Sequence, residues 1–276
     1  MKPATFSLVE PDPAIETPLV VEVPHAGLRI DHASIADMAA PIRCIGRDAD
    51  LLVDALVEGS EALGATVLVA DYSRYVIDLN RGPNDYDGLS VDGGPHGNLP
   101  RGLVWRTSTD GDPILARRLP KSELERRLAT FYRPYHAALM DVLERKKQRF
   151  GHAILLCAHS MPSQGRRGHV DVGAGRADVV PGSRGRTTAR GEVIDTVDRV
   201  ARSLGFSVKH DDPYKGGFST GHYGKPSERI DAVQVELARR LYLDEERLTI
   251  VEDGFARTQA LVHAWVKALG CLAGGQ

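Results

Sequence analysis

Cysteine is scarce in this sequence. Cys44, Cys157 and Cys271 are its only three among 276 residues, none falls in CxxC spacing, and Cys157 lies inside an apolar run. A disulfide framework is therefore not the organising device, and a reducing, cytoplasmic setting is the expectation. An excess of one charge is also missing: 35 Lys and Arg stand against 37 Asp and Glu, a formal charge of −2. That balance does not suit a protein that tracks nucleic-acid phosphates, and the cluster Arg184, Arg186 and Arg190 reads as solvated loop. No apolar stretch approaches the roughly 18 residues of a membrane span. Met1 to Pro18 lacks the basic-then-apolar order of a signal peptide. Without an internal repeat, low-complexity tract or linker-like shift in composition, residues 1–276 read as one α/β domain. Its expected core is a mixed, mostly parallel sheet flanked by helices.

Two apolar runs anchor this reading. Val20-Val21-Glu22-Val23-Pro24 leads into His25, and Leu155-Leu156-Cys157-Ala158 leads into His159-Ser160. Both have the length and continuity of strands buried on two faces, with a histidine where the strand leaves the core. In open α/β sheets ligands bind beyond such strand ends. Residues 50–63 have helical spacing closed by Gly64, which puts Asp48 and Asp50 at a helix N-terminus, where capping is the ordinary role of a carboxylate. Residues 65–71 and 74–79 read as strands, the second ending in Asp78-Leu79-Asn80-Arg81. Residues 121–150 form the longest helical pattern, with a break expected at Pro134. Further on, 190–204 reads as helix, 206–209 as a brief strand, 230–237 as a strand carrying Glu236, and 245–269 as a closing helix. Three Gly-rich segments, 82–113, 160–188 and 211–226, are expected to be loops that cover substrate.

His25, Asp48 with Asp50, His159 and Glu236 thus fall at element ends. Two imidazoles and one carboxylate with an open fourth position make a hydrolytic zinc site, and a glutamate off the metal can shuttle the proton. No HExxH ties these residues to one helix, so spacing alone leaves ordinary polar loop residues equally open. Glu236 could instead pair with Arg239 or Arg240, and Arg81 with Asp78 or Asp85. If Arg81 is unpaired, its planar fork suits a substrate carboxylate.

Val23-Pro24-His25-Ala26-Gly27, Ser73-Arg74-Tyr75-Val76-Ile77-Asp78-Leu79-Asn80-Arg81, Ala158-His159-Ser160, Gly221-His222-Tyr223-Gly224-Lys225-Pro226 and Gln234-Val235-Glu236-Leu237 come in one order across most of the chain. In that order they resemble the N-formylglutamate amidohydrolase family. The resemblance implies a fold like that of zinc carboxypeptidases and aspartoacylases, one Zn2+ per chain, and hydrolysis of the N-formyl or N-acyl amide of a small acidic amino acid. It implies His25, Asp48 and His159 as ligands, with Asp50 the rival for the third place, and Glu236 as catalytic base. Arg74 is the implied oxyanion donor. Arg81, with Asn80, His222 and Tyr223, is implied in binding a small anionic substrate, and histidine degradation is the implied pathway. The rival activities are a zinc carboxypeptidase or peptidoglycan-type amidase acting on short peptides, and a non-catalytic ligand-binding protein on the same fold.

Overall fold

The computed structural model describes residues 4–274, so the outermost positions of the expected 1–276 domain lie outside the described residues. A six-stranded sheet forms the centre. In chain order its strands are β1 (Phe6–Val9), β2 (Leu19–Val23), β3 (Thr66–Ala70), β4 (Ala153–Met161), β5 (Val179–Gly182) and β6 (Ile230–Ala238). Their spatial order is β1-β3-β2-β4-β6-β5. The four inner strands run parallel, and β1 and β5 close the two edges antiparallel. The expected α/β class with a mostly parallel sheet is therefore present, and the edge strands β1 and β5 are additions the sequence patterns did not suggest. Both edges are short, and neither has the long apolar run that identifies a central strand.

Side chains alternate across this sheet as the pleat requires. Leu19, Val21, Val23, Ile154, Leu156, Ala158, Val233 and Val235 face one core, packed beneath helices at Val53–Val57 (α1), Gly191–Ser203 (α2) and Glu252–Gly270 (α3). Val20, Leu155, Cys157 and Ala232 face the other, beneath Lys121–Arg127 (α4) and Arg133–Phe150 (α5). Burial on both faces explains why β2 and β4 read as near-continuous apolar runs, while β6 alternates its apolar residues with Asp231, Gln234 and Glu236.

Several expected elements differ. Arg74–Leu79 is a series of turns and not a strand, although Tyr75, Val76, Ile77 and Leu79 are all buried. Val76, Ile77 and Leu79 pack in the second core and Tyr75 in a smaller cluster with Cys44, Trp105 and Ile114, so their β-branched and aromatic character reflects packing without a ladder partner. The break in the long helix is a π turn over Leu128–Tyr132, just ahead of Pro134, which occupies the first turn of α5, where its missing N–H costs nothing. The 50–63 helix is reduced to α1 and a 3₁₀ turn at Glu61–Leu63, interrupted at Gly59, whose φ is +84°. Asp48 closes the preceding helix, Ile42–Asp48 (α6), and Asp50 lies in the link beyond it, so neither stands at a helix N-terminus. Residues 206–209 make one isolated bridge, Val179 to Val208. Residues 245–251 form the return of a small hairpin instead of the start of α3. The Gly-rich 211–226 loop contains a helix at Phe218–Tyr223 (α7). No helix among the described residues is long and apolar enough to cross a membrane.

Candidate functional site

β2 and β4 are neighbours, but the chain leaves β2 toward β3 on one side and later returns with β4 on the other. The connections diverge there, which opens a crevice at the carboxyl ends of the two strands. His25 follows β2 by two residues. His159 lies within β4, two residues before its end, because pairing with β6 carries β4 beyond the predicted boundary. In that register His159 stands opposite Glu236, so both side chains emerge on one face of the sheet.

His25, Asp50 and His159 are the residues that come together, each buried, with one possible ligand atom apiece and all three atoms within 4.8 Å of one another. Asp50 Oδ2 lies 2.9 Å from His159 Nδ1 and 3.6 Å from His25 Nδ1. The link after α6 places it there: the Asp50 amide donates to the His25 carbonyl at 2.9 Å, and Arg239 holds the same link through the carbonyl of Ala49 at 2.6 Å. His25 Nε2 donates to Asp78 Oδ1 at 2.8 Å, leaving Nδ1 with the free lone pair. That Nδ1 is buried and has no hydrogen-bond partner. An unpartnered imidazole nitrogen beside a second imidazole and a carboxylate, with its other nitrogen backed by an acid, suits a divalent cation with nitrogen and oxygen ligands.

Asp48 does not join this cluster, contrary to the implied ligand set. Its Oδ2 accepts from the Tyr75 hydroxyl at 2.6 Å and the Thr109 amide at 3.0 Å, while Oδ1 accepts from the Thr109 hydroxyl and from Arg166 at 3.4 Å. Its lone pairs are spent tying α6 to the 73–78 turns and the 82–113 loop. Asp78 is the acid that the sequence undervalued. Besides His25 it accepts from Arg74 Nη2 at 2.9 Å, Trp105 Nε1 at 2.9 Å and the Asn80 amide at 2.9 Å. Its signal was the spacing of the Asp78-Leu79-Asn80-Arg81 turn, which lets a carboxylate cap its own turn and reach inward.

Burial works on each acid differently. For Asp50 burial pushes the carboxyl up, but the hydrogen bond to His159 and the adjacent imidazole of His25 more than reverse it and hold the group well below the usual range. Asp78 is likewise held low, burial being outweighed by Arg74 and His25. Glu236 has no such donor pair. Burial raises it to about 7, with His159 pulling down and Asp50 pushing up. Its Oε1 accepts from Gln234 Nε2 at 2.8 Å.

These groups line a cleft of about 440 Å³. Arg74 reaches it pinned by Asp78 and stacked over Trp105 at 4.5 Å from the ring centroid, with Nη2 3.3 Å from His25 Nε2. Arg81 pairs with neither Asp78 nor Asp85 among the described residues: Asp85 turns back to the Gly82 amide at 2.7 Å, and Asp78 is matched to Arg74. Asn80 lines the cleft, but its amide is engaged internally, donating to Gln234 Oε1 at 3.2 Å and accepting from the Ser219 amide at 3.0 Å. His222 and Tyr223 do not reach this cleft. His222 lines a neighbouring cavity that shares Asn80 and Arg81 as wall, and Tyr223 is buried with its hydroxyl 2.8 Å from His136 Nδ1. Arg101 and Arg166 line the cleft without having been singled out from sequence, because loops without periodicity carry no pattern that says where a side chain points; Gln234, on β6 beside Glu236, lines it as well.

Glu236 is paired with neither Arg239 nor Arg240. Arg239 turns to Ser160 and Asp50, and Arg240 to Asp178 at 2.7 Å.

Comparison with known proteins places this geometry in a lineage. Over 258 residues the chain is 34% identical to an N-formylglutamate deformylase of Pseudomonas putida, covering 91% of this chain and 92% of that one. A Pseudomonas aeruginosa N-formylglutamate deformylase is 35% identical over 234 residues, with 83% of each chain covered. The crystal structure of an N-formylglutamate amidohydrolase from Ralstonia eutropha JMP134 matches with a TM-score of 0.88 at 32% identity, over 97% of both chains. The family model for N-formylglutamate amidohydrolase matches residues 17–243. That span takes in His25, Asp50, Asp78, His159 and Glu236, and the chain belongs to the N-formylglutamate amidohydrolase family.

Proposed function

We infer that this protein is a zinc-dependent N-formylglutamate deformylase, hydrolysing the N-formyl amide of a small acidic amino acid to formate and the free amine. The observation that carries the reading is the convergence of His25, Asp50 and His159 beside a glutamate poised near neutrality, in a chain about one-third identical to two such deformylases. Two Nδ1 nitrogens and one carboxylate oxygen form a ligand set suited to zinc. When bound there, zinc acidifies a water and polarises an amide carbonyl.

The chain's own groups do the rest. Glu236 Oε1 is occupied by Gln234, so Oε2 is the oxygen that accepts the proton of the attacking water and passes it to the departing nitrogen. As the amide C–N bond breaks, the new C–O bond completes formate. Burial favours the protonated form of Glu236, which helps it hold the proton between the two transfers. Arg74, fixed by Asp78 and Trp105, is the donor for the charge that develops on the carbonyl oxygen. Arg81 orients the substrate through a carboxylate. One domain spanning the chain carries this activity, and a cytoplasmic setting fits three cysteines that are all free thiols.

Formate release from N-formyl-L-glutamate by the zinc-loaded protein tests the reading. Glu236→Gln should retain the metal by elemental analysis while kcat falls by about 10²–10⁴-fold. Hydrolysis of short peptides with no turnover of N-formyl amino acids would replace the deformylase reading with a peptidase.

A further inference from the structure

Seven arginines line the cleft, and five of them are matched, each with a guanidinium nitrogen between 2.6 and 3.4 Å from a carboxylate oxygen. Arg81 and Arg101 are the two that remain. Among the described residues neither is within ion-pair distance of a carboxylate. Arg81 Nε is buried without a partner, and the hydrogen bond of Arg101 goes to a neutral acceptor, the carbonyl of Gly168. Guanidinium keeps its charge at any working pH, so two of them sharing one cleft without counter-ions are unfavourable until an anion arrives. Burial and the nearby Arg81 and Arg74 hold Arg101 below its ordinary value, against the pull of Asp48.

The surface under Arg101 is shaped to receive it. A Cβ at position 168 would fall on the guanidinium itself and stand 2.8 Å from the Thr109 carbonyl oxygen, so glycine there lets the arginine lie against bare backbone. Arg101 belongs to the 82–113 loop and Gly168 to the 162–178 loop, so this contact joins the two loops on the wall of the cleft.

We propose that Arg101 is a second anion anchor which, with Arg81, makes the cleft select an amide substrate bearing two carboxylates over one bearing a single carboxylate. The inference rests on the deformylase reading for the nature of the substrate. Arg101 determines specificity and takes no part in bond breaking.

Two measurements test it. In the first, kcat/KM is compared for N-formyl-L-glutamate and N-formyl-L-norvaline, which carries a methyl group where glutamate carries its second carboxylate. Arg101→Gln should reduce turnover of the glutamate substrate roughly ten- to a hundredfold more than that of the norvaline substrate, as expected for a lost charge-assisted pair. Arg101→Lys, which keeps the charge but not the fork, should recover part of the selectivity. Equal losses for both substrates would mean that Arg101 only pins the 162–178 loop, and the proposal would be overturned. In the second, calorimetric binding of glutarate and butyrate is compared. Wild type should bind glutarate more tightly, and Arg101→Gln should bring glutarate down to the level of butyrate. Glutarate selectivity that depends on Arg101, in a protein that deformylates neither substrate, would reject the deformylase reading and leave the two-anchor cleft standing. Glutarate binding no tighter than butyrate in wild type would overturn the proposal whatever the turnover.

Discussion

Asp48 and Asp50 carry the same functional group two positions apart, and their neighbours assign them different work. Asp48 is saturated by Tyr75, Thr109 and Arg166, whereas Asp50 faces two imidazoles. Asp50→Asn should therefore abolish stoichiometric zinc by elemental analysis. Asp48→Asn should retain it while lowering stability by about 1–3 kcal/mol, the cost of leaving a buried hydroxyl and amide mismatched, read from the urea midpoint. Zinc lost from the Asp48 variant and kept in the Asp50 variant would reverse the assignment. The same reasoning separates Arg74 from Arg81. Both belong to one sequence block, but only Arg74 is neutralised by a protein acid, leaving Arg81 available to substrate.

At the scale of elements, the site depends on how closely the carboxyl ends of adjacent strands approach. Gly27 follows His25 where the chain leaves β2 and passes the end of β3. A Cβ there would stand 2.6 Å from the carbonyl oxygens of both Ala70 and Asp71. These are backbone atoms that cannot rotate away, so Gly27→Ala should cost about 1–3 kcal/mol as strain in a packed region. The displacement passes to His25 two residues earlier, and zinc affinity should fall along with the urea midpoint. An unchanged midpoint and full metal content would show that the two strand ends can separate freely. Gly217, at the start of α7, has a comparable role: a Cβ there would lie 2.5 Å from Asn80 Cγ, beside the amide network that reaches His159.

At the scale of the whole molecule, acid should destabilise the fold in a window set by a histidine remote from the chemistry. His136 on α5 accepts the Tyr223 hydroxyl of α7, and burial, with His222 adding to it, pushes its pKa down to about 4. Its value in the unfolded chain is about 6.5. Between those two values the unfolded chain binds a proton that the folded one refuses, so stability is complete above about pH 6.5 and declines as pH falls toward 4. The upper bound is about 3 kcal/mol, from a shift of about 2.5 units. His136→Gln, which retains an acceptor for Tyr223, should reduce the pH dependence of the urea midpoint across that window, leaving the part that belongs to His169, whose pKa burial also pushes down to about 4. The same slope in the variant would assign it to other groups. Below pH 4 the loss should continue through carboxylates such as Asp171, which Arg176 holds below the ordinary range.

What the sequence by itself determined was the local order: continuous apolar runs for strands buried on both faces, helical spacing for their cover, and histidines at two strand ends. These follow from neighbours along the chain, and the blocks around His25, Arg81, His159 and Glu236 were enough to indicate the family. Tertiary structure alone decided which acid meets the imidazoles, that Tyr75 to Leu79 is buried as turns, that Tyr223 supports the core, and that Arg101 shares the cleft with Arg81. Those outcomes depend on contacts between segments 61 to 192 residues apart, set by strand order and loop packing. A pattern of period 2 or 3.6 reports which face a residue occupies, but it carries no information about the partner that face will meet.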